Sequence, residues 1–213
     1  MLDYFELDCA EPPAALVCWL HGLGADGYDL EPVAGMLGMP DVRHVFPHAP
    51  VRPVTVNGGM PMRAWFDIAS TDLRRQEDSE GILVSAAQVR ELTEALRAEA
   101  GLPVVLAGFS QGAVVSLAAA AQGLPGLAGV AALSGYVPRF LEPLLGNLRG
   151  VPLFMGHGER DEVIPFALGK AGYDVLAANG AEVDWRGYAM PHAICRQEIQ
   201  EVAAWLAGVL RQG

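Results

Sequence analysis

Cysteine and positive charge are both scarce in this chain, and no long uninterrupted apolar run occurs. Each shortage removes a class of protein. The three cysteines, Cys9, Cys18 and Cys195, are odd in number and lack paired metal-site spacing, and Cys18 lies inside an apolar run. A disulfide scaffold and a zinc site are therefore set aside, and reduced thiols are expected. With 14 basic against 25 acidic residues the formal net charge is −11, which argues against nucleic acid and anionic membrane surfaces as partners. No window reaches the run of about 20 apolar residues that a transmembrane helix needs. The opening Met1-Leu2-Asp3-Tyr4-Phe5-Glu6 is acidic where a secretory signal would be basic. A cytoplasmic protein without stable membrane association is expected.

What the chain does contain is apolar residues at 52% against 18% charged, a balance that suits strands buried on both faces of a sheet. A length of 213 residues, without repeat, linker or low-complexity tract, suits one domain over 1–213. Strand-like runs fall at 15–20, 42–46, 104–107, 129–133, 152–155 and 182–188. Helical patterns fall at 28–37, 79–100, 111–121, 166–179 and 194–210. This alternation predicts an α/β fold, a mostly parallel sheet flanked by helices. The stretch 47–65 is too long for a simple connection and is expected to build part of a site. The segment 134–150 is too short to form a cap domain.

The sharpest motif is Gly108-Phe109-Ser110-Gln111-Gly112, between the apolar run Val104-Val105-Leu106-Ala107 and the helical Ala113-Val114-Val115-Ser116-Leu117. A strand that reverses directly into a helix strains its apex, and side chains two positions either side would collide, so glycine is required there. The hydroxyl of Ser110 is thereby exposed above the sheet beside a helix N-terminus, which makes it a candidate nucleophile.

A serine hydroxyl needs a base to take its proton, and the base needs a carboxylate to fix its tautomer. Of the five histidines, His21, His44, His48 and His157 lie within or beside strands or in the long loop. His192 stands after a late acidic loop and before the last helix, the chain order Ser, acid, His of such sites. In the acidic loop Asp161 is favoured by position, with Glu159 and Glu162 as geometric alternatives. The tetrahedral intermediate needs two N–H donors: Gln111 follows the nucleophile, and Leu23 lies in His21-Gly22-Leu23-Gly24-Ala25-Asp26-Gly27 after the first apolar strand. That loop also matches a dinucleotide fingerprint, with Asp41 as a ribose ligand. A fingerprint alone leaves Ser110, Asp161 and His192 unexplained, so the hydrolytic reading is preferred.

These residues, with Pro47-His48-Ala49-Pro50, Arg52-Pro53-Val54-Thr55-Val56-Asn57-Gly58-Gly59, Ala64-Trp65-Phe66-Asp67-Ile68, His157-Gly158-x-x-Asp161 and Met190-Pro191-His192, resemble the carboxylesterase and acyl-protein thioesterase family of small α/β-hydrolases over nearly the whole chain. The resemblance implies an α/β-hydrolase fold without a cap domain and a triad of Ser110, Asp161 and His192. It also implies oxyanion donors at Leu23 and Gln111, Trp65 beside the acyl site, no metal, no cofactor, and homodimers among bacterial relatives. The chain departs from the family at Ala113 and Pro191, where glycine is usual, and at Ala193 and Glu159. The expected activity is hydrolysis of short to medium acyl esters through an acyl-enzyme, with acyl thioesters and lysophospholipids as alternative substrates, and with Leu23, Met60, Met62, Trp65, Phe66 and Val163 lining an acyl groove.

Overall fold

A computed structural model describes residues 1–7, 9, 12–70, 72–73 and 76–211. Among the described residues, seven strands form the main sheet: β1 (Tyr4–Glu6), β2 (Ala15–Leu20), β3 (Val42–Pro47), β6 (Val104–Phe109), β7 (Leu127–Leu133), β8 (Pro152–Gly158) and β9 (Glu182–Tyr188), with β4 (Val51–Val54) and β5 (Met60–Arg63) pairing separately as a hairpin. The order across the sheet is β1-β3-β2-β6-β7-β8-β9. All neighbours run parallel except β1, which is antiparallel to β3. The six strands read from the sequence are thus present. β1 escaped notice because three residues at a sheet edge carry too little alternation to register, and the hairpin lies inside the 47–65 stretch expected to build part of a site.

The period of two along the strands divides the core. Leu16, Cys18 and Leu20 of β2 face one apolar cluster, and Val17 and Trp19 face the other. On the first face lie α2 (Ser79–Ala100), α3 (Gln111–Ala121) and the buried Leu176 of α4 (Phe166–Ala178); on the second lie α1 (Glu31–Met36) and α5 (Arg196–Leu210). The long α2 shows why these segments are helical. Asp78 caps its start by accepting from the Gly81 N–H at 2.9 Å, Gly101 ends it at φ 67°, and Ile82, Ala86, Val89, Leu92, Thr93 and Leu96 put one apolar stripe against the sheet. By contrast, every residue of α3 is buried.

Two helices are shorter than the apolar pattern suggested. Residues 28–37 split into a 3-10 turn at Gly27–Asp29 and α1, because Pro32 sits at the start of α1 and Asp26 caps the preceding turn. The last helix opens at Arg196, after Cys195 in an extended conformation. The segment 134–150 carries a 3-10 run, Arg139–Leu148, whose Leu141, Leu145 and Leu148 are buried in the core. It builds no cap over the sheet.

β3 and β6 flank β2 on opposite sides. The connections leaving β2 therefore reverse direction between β2 and β6, and such a reversal opens a crevice at the carboxyl ends of the strands. The loop after β2 and the turn after β6 meet there.

Candidate active site

The crevice is organised by the turn after β6. Ser110 has φ 57° and ψ −117°, a strained conformation for a residue with a side chain. Its neighbours show what permits it: a Cβ on Gly108 would lie 2.3 Å from the Gly112 carbonyl carbon, and one on Gly112 would lie 1.9 Å from the Leu20 oxygen. Ala113 is accommodated by Gly135, where a Cβ would stand 2.5 Å from that of Ala113.

The acidic loop follows β8 and the His192 loop follows β9, and the two are stitched together. Glu159 N–H donates to the Tyr188 carbonyl at 2.7 Å, and Arg160 N–H donates to that of Met190 at 3.1 Å. This pairing brings Asp161 Oδ2 to 2.7 Å from His192 Nδ1, and His192 Nε2 to 3.0 Å from Ser110 Oγ. Asp161 is fixed on its other oxygen by the N–H groups of Val163 (2.9 Å) and Ile164 (2.8 Å). With Nδ1–H donated to Asp161, Nε2 is left as an acceptor facing the serine hydroxyl. Glu159 and Glu162 are exposed, and neither is hydrogen-bonded to His192.

The other four histidines are held by other partners, although His157 Nε2 also stands 3.4 Å from Asp161 Oδ2. His21 is buried, donates Nδ1–H to the Gly22 carbonyl (2.7 Å) and accepts the Ala49 N–H at Nε2 (3.0 Å); burial lowers its pKa to about 4. His44 accepts the Trp19 indole N–H at 3.0 Å and is likewise held neutral, its pKa lowered to about 4 by burial. His48 accepts the Gly27 N–H at 3.1 Å. His157 lies under the acid loop, with Nε2 donating to the Ile164 carbonyl at 2.8 Å, and burial lowers its pKa.

Leu23 and Gln111 border the serine, and among the described residues neither backbone N–H donates to another carbonyl. The glycines around Leu23 serve this loop and not a nucleotide. Gly24 N–H is bonded to the Arg63 carbonyl of β5, and the Gly27 N–H that a phosphate would need is taken by His48. The Gln111 side chain plays a part that sequence reasoning missed. Its amide accepts the Trp65 N–H at 3.0 Å and donates to the Phe66 carbonyl at 2.9 Å, pinning the 65–66 segment to α3.

An apolar pocket of about 60 Å³ opens beside Ser110, walled by Leu23, Phe66, Ile68, Tyr136, Val163 and Ile164. Three expected walls are corrected. Trp65 is fully buried, with its indole N–H donated to the His21 carbonyl at 2.9 Å and its carbonyl accepting the Ser85 hydroxyl, so it supports the loop from beneath. Met60 is exposed on the hairpin. Met62 packs toward Gly24, its sulfur accepting from the Asn57 amide at 3.2 Å, outside the pocket. A strand pattern cannot say which way a hairpin side chain turns once the hairpin folds over a loop. Tyr136 and Ile164 were missed, although both follow strands at their carboxyl ends, the signal that nominated Asp161.

A strained serine at a strand-to-helix elbow, a histidine and a carboxylate from later loops, and a mostly parallel sheet beneath them define an α/β-hydrolase. The phospholipase/carboxylesterase family model matches residues 5–210, and the chain belongs to that family. It is a serine-type ester hydrolase. It is 34% identical over 235 residues to acyl-protein thioesterase 1 of Cryptococcus neoformans, covering 99% of this chain and 98% of the relative. It is 36% identical over 223 residues to the Mycosarcoma maydis protein of that name, covering 93% and 92%. The crystal structure of Zea mays acyl-protein thioesterase 2 superposes with a TM-score of 0.89 at 30% identity, covering 99% of this chain and all of that one.

Proposed function

We propose that Ser110, His192 and Asp161 form the catalytic triad of a single-domain enzyme that hydrolyses short to medium acyl esters, and acyl thioesters, through a Ser110 acyl-enzyme. The observation that carries this is the unbroken chain Ser110 Oγ–His192 Nε2 (3.0 Å) and His192 Nδ1–Asp161 Oδ2 (2.7 Å) at the mouth of an apolar pocket. Ser110 Oγ attacks the acyl carbon as its proton passes to His192 Nε2, forming a tetrahedral oxyanion between the Leu23 and Gln111 N–H groups. Collapse breaks the bond to the leaving oxygen or sulfur, which takes the proton from His192. A water molecule, deprotonated by the same nitrogen, then releases the acid and restores the serine. Asp161 keeps Nδ1 protonated and offsets the charge of the imidazolium.

Phe66 and Val163 are retained as acyl walls and joined by Ile68, Tyr136 and Ile164. Each methylene buried among them contributes about 0.8 kcal/mol until the pocket is filled, which sets the preference for short to medium chains. Thioesters are included because relatives sharing a third of the sequence are named acyl-protein thioesterases. None of the helices among the described residues is long and apolar enough to cross a membrane. With the net charge of −11, this supports a cytoplasmic enzyme that neither binds nucleic acid nor associates stably with membranes. A homodimer rests on the family resemblance and is tested by sedimentation velocity. The deciding experiment for the activity is a p-nitrophenyl acyl series with matching acyl thioesters, on the wild type and Ser110→Ala. Turnover that survives in the variant would refute the proposal.

A further inference from the structure

The reacting pair has a second side. Apart from the apolar pocket, a second groove runs along His192, floored by Leu30, Val33, Phe109 and Ile194 and rimmed by the exposed Asp29. The two spaces divide the reacting atoms between them. Ser110, Gln111 and Leu23 line the pocket, and His192 lines the groove. The division has a chemical consequence, resting on the triad assigned above. The leaving atom must receive its proton from His192 Nε2, so the departing group emerges on the His192 side while the acyl carbon stays with Ser110 and the oxyanion donors.

The walls say what kind of group fits. Leu30 and Val33 are buried and Phe109 is tilted against the His192 ring at a centroid distance of 4.7 Å, so the floor is apolar. Its single charged lining group is a carboxylate, no Lys or Arg among the described residues lines it, and the chain as a whole carries −11. We propose that this groove is the leaving-group site and that Asp29 gives the enzyme a preference for alcohols and thiols that bear an alkylammonium group. The alkyl portion covers Leu30, Phe109 and Ile194, and the positive end meets Asp29 at the rim. Anionic leaving groups meet repulsion at the same place.

The test compares two substrates with one acyl group and isosteric leaving groups: butyrylcholine, and 3,3-dimethylbutyl butyrate, in which carbon replaces the ammonium nitrogen. Each kcat/KM is normalised to the ester's hydroxide-catalysed rate. Turnover of p-nitrophenyl butyrate by the same preparations, abolished in Ser110→Ala, reports separately on the triad. Because Asp29 is exposed, its attraction is that of a surface pair, about two- to fivefold in the normalised ratio. The wild type is expected to favour the cationic ester by that factor, Asp29→Asn to bring the ratio toward one, and Asp29→Lys to invert it. Glu182→Gln changes the net charge equally at the start of β9, far from the carboxyl-end loops, and is expected to leave the ratio alone. A wild-type ratio near one, a ratio untouched by Asp29→Asn, or an equal loss in Glu182→Gln would each overturn the assignment.

Discussion

Replacing Glu198 by glutamine should stabilise this protein at alkaline pH and leave it unchanged in acid. Glu198 stands in the first turn of α5, fully buried, with its carboxyl filling the space above Gly156, where a Cβ would lie 2.0 Å from Oε1. Among the described residues neither oxygen has a partner in hydrogen-bonding geometry. Burial raises its pKa from 4.5 to about 8; the nearby Cys195 N–H offsets part of that and the Glu201 carboxylate adds to it, while the Tyr188 phenol in the same cluster is itself raised by burial. An acid whose folded pKa lies above its unfolded value binds more protons when native, so stability falls as pH rises between the two values. At 1.36 kcal/mol per unit, the loss accumulates from pH 4.5 to a ceiling of about 5 kcal/mol above pH 8. Glutamine cannot ionise and carries no such slope. Urea titrations of both proteins from pH 4.5 to 9 should therefore give curves that coincide at the acid end and diverge steadily toward the alkaline end. Parallel curves would show that Glu198 is ionised and accommodated throughout, and the reasoning from burial would fail.

Acid should expose a second group of buried residues. His21 and His44 have pKa values lowered to about 4, so the unfolded chain binds more protons than the native one below their ordinary value of 6.5, and stability should fall as pH drops from 6.5 toward 4, read by the same titrations. Ser110→Ala should fold normally and lose ester turnover by several orders of magnitude, since the oxyanion donors alone remain; activity within about tenfold of wild type would exclude a serine nucleophile. Asp161→Asn should lower kcat about a thousandfold or more, whereas Glu159→Gln and Glu162→Gln should have little effect; the reverse pattern would reassign the acid. Trp65→Ala should cost about 3–5 kcal/mol in urea melts, with loss of turnover across all acyl lengths; a shifted acyl-length optimum without destabilisation would restore Trp65 as a pocket wall.

Elements defined by neighbours in the chain were legible in the sequence. The elbow at Ser110 could be read because strand, glycines and helix are contiguous, and the clash that requires Gly108 and Gly112 is local. The strand alternation and the order of Ser110, Asp161 and His192 were legible for the same reason, since in a parallel sheet successive strand ends fall on one edge. Tertiary structure decided whatever depends on distant segments meeting. Asp161 reaches His192, and Glu159 does not, because the acid loop is pinned to Tyr188 and Met190 after β9. Trp65 left the pocket because the end of β5 is bonded to the Leu23 loop through Arg63 and Gly24, and the indole that follows donates to the His21 carbonyl. Tyr136 and Ile164 entered it from the segments that follow β7 and β8, whose ends meet the Ser110 turn only in the folded sheet. Side-chain direction in a loop is set by the groups it packs against, and those belong to other parts of the chain.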